Sequence, residues 1–147
     1  MNSAQLPSPP LPLGQYHTWM LKGGVGTVSG QLPIQNGRVV SPGVIGEGLT
    51  EQDASIAIRL AADNALAQVK ACLEHLDEPL VSLLHLAGYI RTMPDFGDHA
   101  RLMDIASDRF VEVLGADAGS HTRSVVGVTS LPGQSCVELV LSFTTHL

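Results

Sequence analysis

The chain has 147 residues, 44% of them apolar and 15% charged, with fifteen Gly, nine Pro, one Trp and two Cys. That length suits one compact domain and excludes a multidomain machine. Eight basic against fourteen acidic residues leave a formal charge of -6, which repels phosphate backbones and argues against a nucleic-acid partner. The charged fraction lies below the roughly 25% of ordinary soluble domains, too little to clothe a solitary monomer, and this points to self-association.

The segment Leu6 to Pro12 holds four of the prolines; it lacks backbone donors there and is expected to run extended. Residues 1–13 are therefore read as an arm and 14–147 as a single domain. Met1 to Leu6 shows no basic leader, and no apolar run reaches the 18 residues of a spanning helix. A cytoplasmic protein without membrane contact is the expectation. Thr18 to Leu21 and Val25 to Ser29 read as two strands joined at Gly23-Gly24. Ile34 to Val40 carries a second hairpin signal in Asn36-Gly37, ended by Ser41-Pro42-Gly43.

A helix is predicted from Thr50, whose hydroxyl can cap the N–H of Asp53, to about His75. Its inner stripe is read as Ile56, Leu60, Asn64, Ala67 and Ala71, widened by Ala57, Ala61, Leu66, Val69 and Leu73, with Asp53, Arg59, Asp63 and Lys70 outward. Pro79 closes it. Val81 to Ile90 is nearly continuous in apolar residues and reads as the central strand of a sheet, covered on both faces. A second helix is expected after Pro94, capped by Asp95 and stopped by Gly115, with Leu102, Ile105, Ala106, Phe110, Val113 and Leu114 inward.

Two final strands, Arg123 to Ser130 and Cys136 to Thr145, flank the turn Leu131 to Gln134; paired as a hairpin, they would bring Arg123 and Glu138 near one end of the sheet. The order is that of an α+β domain, a mixed sheet with two helices on one face. The other face then needs a cover, and a second subunit is the simplest one.

Nucleotide loops, metalloprotease and hydrolase motifs and paired-cysteine zinc spacings are absent, so no metal or cofactor is called for. Cys72 and Cys136 read as two buried thiols. His17, His75, His85, His99, His121 and His146 are scattered and read as surface or hydrogen-bonded side chains. Two charges stand out. Glu138 interrupts an apolar strand and Arg123 opens another, so burial of either would demand a partner. The plainer alternative has Glu138 facing solvent and Arg123 capping a loop.

Several motifs resemble one family. Gly14-Gln15-Tyr16, Ser29-Gly30-Gln31-Leu32-Pro33, Ala65 to Lys70, Gly88-Tyr89-Ile90-Arg91 with Asp95-Phe96, and Arg123-Ser124 leading through Leu131-Pro132 to Val137-Glu138 resemble the reactive intermediate deaminase (Rid, or YjgF-like) family, long called L-PSP endoribonucleases. The likeness runs from about Gly14 to the C-terminus. It implies a chorismate mutase-like fold and a homotrimer with ligand pockets in clefts between subunits. It also implies hydrolysis of enamines and imines such as 2-aminoacrylate to 2-keto acids and ammonia, without a cofactor.

In that reading the guanidinium of Arg123 clamps the substrate carboxylate through two parallel hydrogen bonds, and Glu138 positions and deprotonates water. Tyr16 closes over the ligand, Ser29 and Gly30 supply polar and backbone contacts, and Val125 lines the pocket. Val125 stands where many members carry Cys, and Ala100 where Asn is frequent, so thiol-dependent roles do not transfer. The stretches 35–50 and 116–120 are longer than in the shortest members. A small-carboxylate sensor with the same pocket and no turnover is the alternative from a different class. An endoribonuclease or translation inhibitor is the third, and the absence of a basic run or stacking platform speaks against it.

Overall fold

A computed structural model describes residues 6–146. Residues 1–5, which begin the expected arm and make up most of the stretch read for a leader, lie outside the described residues, as does Leu147. The elements in chain order are β1 (Trp19–Lys22), β2 (Val25–Gln31), β3 (Ile34–Gln35), β4 (Arg38–Val39), β5 (Val44–Ile45), β6 (Gly48–Leu49), α1 (Glu51–Leu76), β7 (Ser82–Arg91), α2 (His99–Leu114), α3 (Ala116–Gly119), β8 (Thr122–Val128) and β9 (Val137–Thr144).

Five strands form the main sheet in the order β1-β2-β9-β7-β8. β2 and β7 run antiparallel to β9, and β8 runs parallel to β7. The expected α+β architecture with two main helices on one face is present. Two placements differ from the sequence reading. β9, not the strand around Val81 to Ile90, holds the centre. β8 and β9 do not form a hairpin either, because each lies on a different side of β7. The chain leaves β7 through α2 and returns as β8, and a strand joined to its parallel neighbour by a helix is the standard crossover.

α1 begins as expected. Asp53 N donates to Thr50 Oγ1 (3.1 Å) and Thr50 N donates to Asp53 Oδ2 (3.0 Å), a reciprocal box that satisfies two orphan helix donors. Its buried face is Ala54, Ala57, Ile58, Ala61, Ala62, Ala65, Leu66 and Val69. Small alanines let the helix axis approach the sheet closely. The stripe read from sequence agrees with this face in part: Asn64 and Ala67 are buried, as are Ala57, Ala61, Leu66 and Val69, whereas Ile56 is 52% exposed and Leu60 half-buried. Asp63, expected outward, turns in to Arg109, whose Nε donates to Asp63 Oδ1 at 2.6 Å. Arg109 is only 3% exposed, and its second partner is Glu112.

α2 starts at His99, three residues later than expected. Asp95 does not cap it, because Phe96 N bonds back to Met93 O and closes a turn there. Gly115 does end the helix, and the short α3, which the sequence did not announce, follows at once. Asn36 and Gly37 carry the expected hairpin turn with φ of 52° and 76°. Cys72 and Cys136 are buried free thiols; burial pushes the Cys72 thiol up and that of Cys136 to about 11.

On the helix-bearing face Val28, Leu86, Ile90, Leu139, Leu141 and Phe143 are fully buried. Within one chain the opposite face is bare, so the strand around Val81 to Ile90 is covered on one side only. Among the described residues no helix is long and apolar enough to cross a membrane.

Candidate functional site

Alternation along β9 decides where Glu138 points. Val137, Leu139 and Leu141 enter the core, so Glu138 projects from the bare face. A register shift in β2 between Val28 and Gln31 brings Ser29 and Gly30 beside it. A side chain on Gly30 would strike a Glu138 carboxylate oxygen, so glycine is what leaves that carboxylate its place. Ser29 Oγ donates to Thr18 O (3.2 Å), and Gln31 Nε2 donates to Ser29 O (3.1 Å). Tyr16 arrives from the segment before β1. Its hydroxyl accepts from Leu13 N at 3.0 Å, tying the end of the arm to the ring. Further along the arm, Gln68 Nε2 donates to Pro10 O at 2.7 Å.

Leu13, Tyr16, Ser29, Gly30, Leu32, Pro132 and Glu138 surround a hollow of about 460 Å³. Glu138 is half-buried, and no hydrogen bond or ion pair among the described residues engages its carboxylate. Burial therefore pushes this carboxyl above the ordinary glutamate range. A carboxyl whose charge is disfavoured in this way binds a proton more readily than an exposed glutamate, which suits general acid-base chemistry.

Arg123 lies elsewhere. It pairs with Leu86 across β7 and β8, and Leu86 is core, so Arg123 shares the helix-bearing face. Its Nη1 donates to Asp104 Oδ1 (2.8 Å) and Ser107 Oγ (3.0 Å), and its Nη2 donates to Ala100 O (3.1 Å). Three of five guanidinium protons are thus used, while Nε–H and one Nη2–H carry no partner among the described residues. The side chain is 21% exposed. Val125, two residues on, packs half-buried against the core. Ser107, Asp108, Val111, Gly119, Ser120, His121 and Arg123 border a second hollow of about 320 Å³.

One group thus assembles and one does not. Tyr16, Ser29, Gly30 and Glu138 come together in one hollow, whereas Arg123 and Val125 sit on the other side of the sheet. Within one chain a hairpin of the last two strands, which would have set Arg123 beside Glu138, is replaced by this separation. His121 is a participant the sequence did not single out: its Nδ1 lies 2.7 Å from Gly119 O and its Nε2 2.9 Å from Ser107 Oγ. Its partners come from α2 and α3, so spacing along the chain carried no signal. Among the described residues no cluster of three His, Cys, Asp or Glu could hold a metal ion.

Comparison with known proteins gives a consistent picture. The family model described as "YjgF/chorismate mutase-like, putative endoribonuclease" matches residues 2–145. Protein TCP17 of Trypanosoma cruzi is 30% identical over 135 residues, covering 92% of this chain and 84% of that protein. The crystal structure of protein Atu1372 from Agrobacterium tumefaciens aligns with a TM-score of 0.86 at 32% identity, over 96% of this chain and 86% of that one. A structure from Shewanella oneidensis MR-1, titled a putative endoribonuclease, aligns with a TM-score of 0.87 at 28% identity, over 95% and 91%.

Proposed function

Because the chain belongs to the YjgF/chorismate mutase-like family, we propose that it hydrolyses small 2-imino and enamino acids, 2-aminoacrylate among them, to 2-keto acids and ammonia in clefts between copies of a homotrimer. Arg123 of one copy would face Glu138, Tyr16, Ser29 and Gly30 of a neighbour. The bare sheet face supports assembly: Met20, Val25 and Val126 project from it largely exposed, an apolar surface of the kind other subunits cover.

The substrate carboxylate takes the two unpaired guanidinium protons of Arg123, which fixes orientation as well as charge. An enamine whose carboxylate has paired with Arg123 first gains a proton at its β-carbon, supplied by the protonated carboxyl of Glu138, and becomes an iminium. Glu138, now the carboxylate, draws a proton from water as the oxygen bonds to the iminium carbon. Glu138 passes that proton to the amino nitrogen of the adduct, the C–N bond breaks as the adduct's hydroxyl proton returns to the Glu138 carboxylate, ammonia leaves and the carbonyl forms. Imines hydrolyse readily unaided, so positioning and electrostatics suffice as the source of acceleration.

The observation that carries this reading is the unpaired, half-buried carboxyl of Glu138 in its hollow. The test generates imines with an amino-acid oxidase and follows 2-keto acid release. Glu138→Gln is expected to lower the accelerated rate by roughly a hundredfold, a typical acid-base contribution; a variant as fast as the wild type would overturn the assignment. One observation favours a second reading, a carboxylate-binding protein without turnover: Arg123 already holds a carboxylate, that of Asp104. Calorimetric binding of 2-keto acids with no acceleration in the oxidase assay would select it.

A further inference from the structure

The short helix α3 and the histidine that follows it have a physical task. We infer that α3 and His121 form a positioning device which, through Ser107, sets the guanidinium of Arg123 for an incoming carboxylate. The inference rests on the carboxylate-clamp reading above and assigns residues outside it.

The order of the hydrogen bonds follows from which atoms can only accept. Gly119 O is a carbonyl, so the 2.7 Å contact requires the proton on His121 Nδ1. In the neutral ring that leaves Nε2 with a lone pair facing Ser107 Oγ at 2.9 Å. The serine proton is thereby committed to the ring. Ser107 Oγ then offers its lone pairs to Arg123 Nη1, which donates at 3.0 Å. Each member fixes the next: carbonyl, imidazole, hydroxyl, guanidinium.

The surroundings hold the ring itself. Phe110 meets His121 edge-on, with centroids 5.4 Å apart and planes at 74°. Gly119 must be glycine for α3 to seat on α2, since a Cβ there would come within 2.8 Å of Phe110 O and 2.9 Å of Val111 Cα. The turn of α3 is thus pressed onto the helix with the Gly119 carbonyl presented to His121. Ala100 O and Asp104 Oδ1 fix the remaining used protons of Arg123. Nε–H and one Nη2–H are left, two donors for a ligand carboxylate.

The test is calorimetric titration of the full chain with pyruvate, with circular dichroism to show that each variant is folded. Ser107→Ala and His121→Leu are expected to weaken binding by about tenfold, whereas Ser107→Thr and His121→Gln, which keep a hydroxyl and an acceptor, stay within about threefold of the wild type. Rescue by the conservative pair separates positioning from packing. If Ser107→Ala and His121→Leu bind like the wild type while Arg123→Ala does not, the device is refuted and the clamp stands. Equal loss in the conservative variants also refutes it. If Arg123→Ala binds like the wild type, or the wild type itself ignores pyruvate, the clamp reading falls and takes this inference with it.

Discussion

The two faces of the main sheet are built from the same strands and yet differ in how finished they are. One is closed by α1 and α2: Leu139, Leu141 and Phe143 of β9 are fully buried there. The other carries Glu138, Val140, Ser142 and Thr144 of the same strand, all only half-buried. One face is thus satisfied by its own chain, and the other offers apolar and hydroxyl side chains together with one unpaired carboxyl. The core sits on the first and the proposed cleft on the second, with Arg123 at the β8 edge where the helix layer meets solvent.

Adjacent residues of β9 test that division most severely. Leu141→Asp places a charge without a partner in the core, which costs more than a marginal domain can spare; the chain is expected to lose its cooperative unfolding transition. Val140→Asp puts the same group on the bare face one residue away. Here the expected outcome is a folded chain by circular dichroism that sediments as a monomer, where the wild type sediments at about three times that mass. A wild type that already sediments at the monomer mass would show that the bare face needs no cover and would remove the proposed cleft. Within the helix layer, Asp63→Asn leaves Arg109 buried with only its half-exposed partner Glu112. Denaturant titration should show a loss of roughly 3 kcal/mol, the lower end for breaking a buried pair.

What the sequence revealed divides along the range of the interactions. Local chemistry was legible: Thr50 with Asp53 set the start of α1, Asn36-Gly37 its hairpin, Gly115 the end of α2. Nonlocal pairing was not. Leu131-Pro132-Gly133-Gln134 reads as a hairpin turn, but strand, helix, strand from β7 to β8 was the stronger topological signal, and it places β8 beside β7 rather than β9. The misplacement of Ile56 at the start of α1 has a similar cause: in an alanine-rich helix the alanines can bury on any side, so the larger apolar residue was not a reliable guide to the inner face. Of the candidate site residues, the strand pattern alone singled out Glu138, the family resemblance joined Tyr16, Ser29 and Gly30 to it, and the four line one hollow. His121 and Ser107 escaped because their link exists only once α3 folds onto α2.

The smallest effect concerns the carboxyl of Glu138, and its sign carries the information. Burial raises the folded-state pKa of this group above its unfolded value. Deprotonation near neutral pH therefore costs stability in the folded chain. Below the unfolded value both states hold the proton and the cost disappears. In the Val140→Asp background, where each chain stands alone, adding Glu138→Gln should raise the melting temperature at pH 7.5. That gain should fade as the pH falls through the raised pKa and vanish below the ordinary glutamate range. The same substitution in the assembled protein meets a different field, because a neighbour's Arg123 would favour the ionised carboxyl. There the gain should shrink or reverse. Equal pH profiles in the two backgrounds would mean that no cation reaches Glu138 on assembly, and the guanidinium would have to be placed outside the cleft.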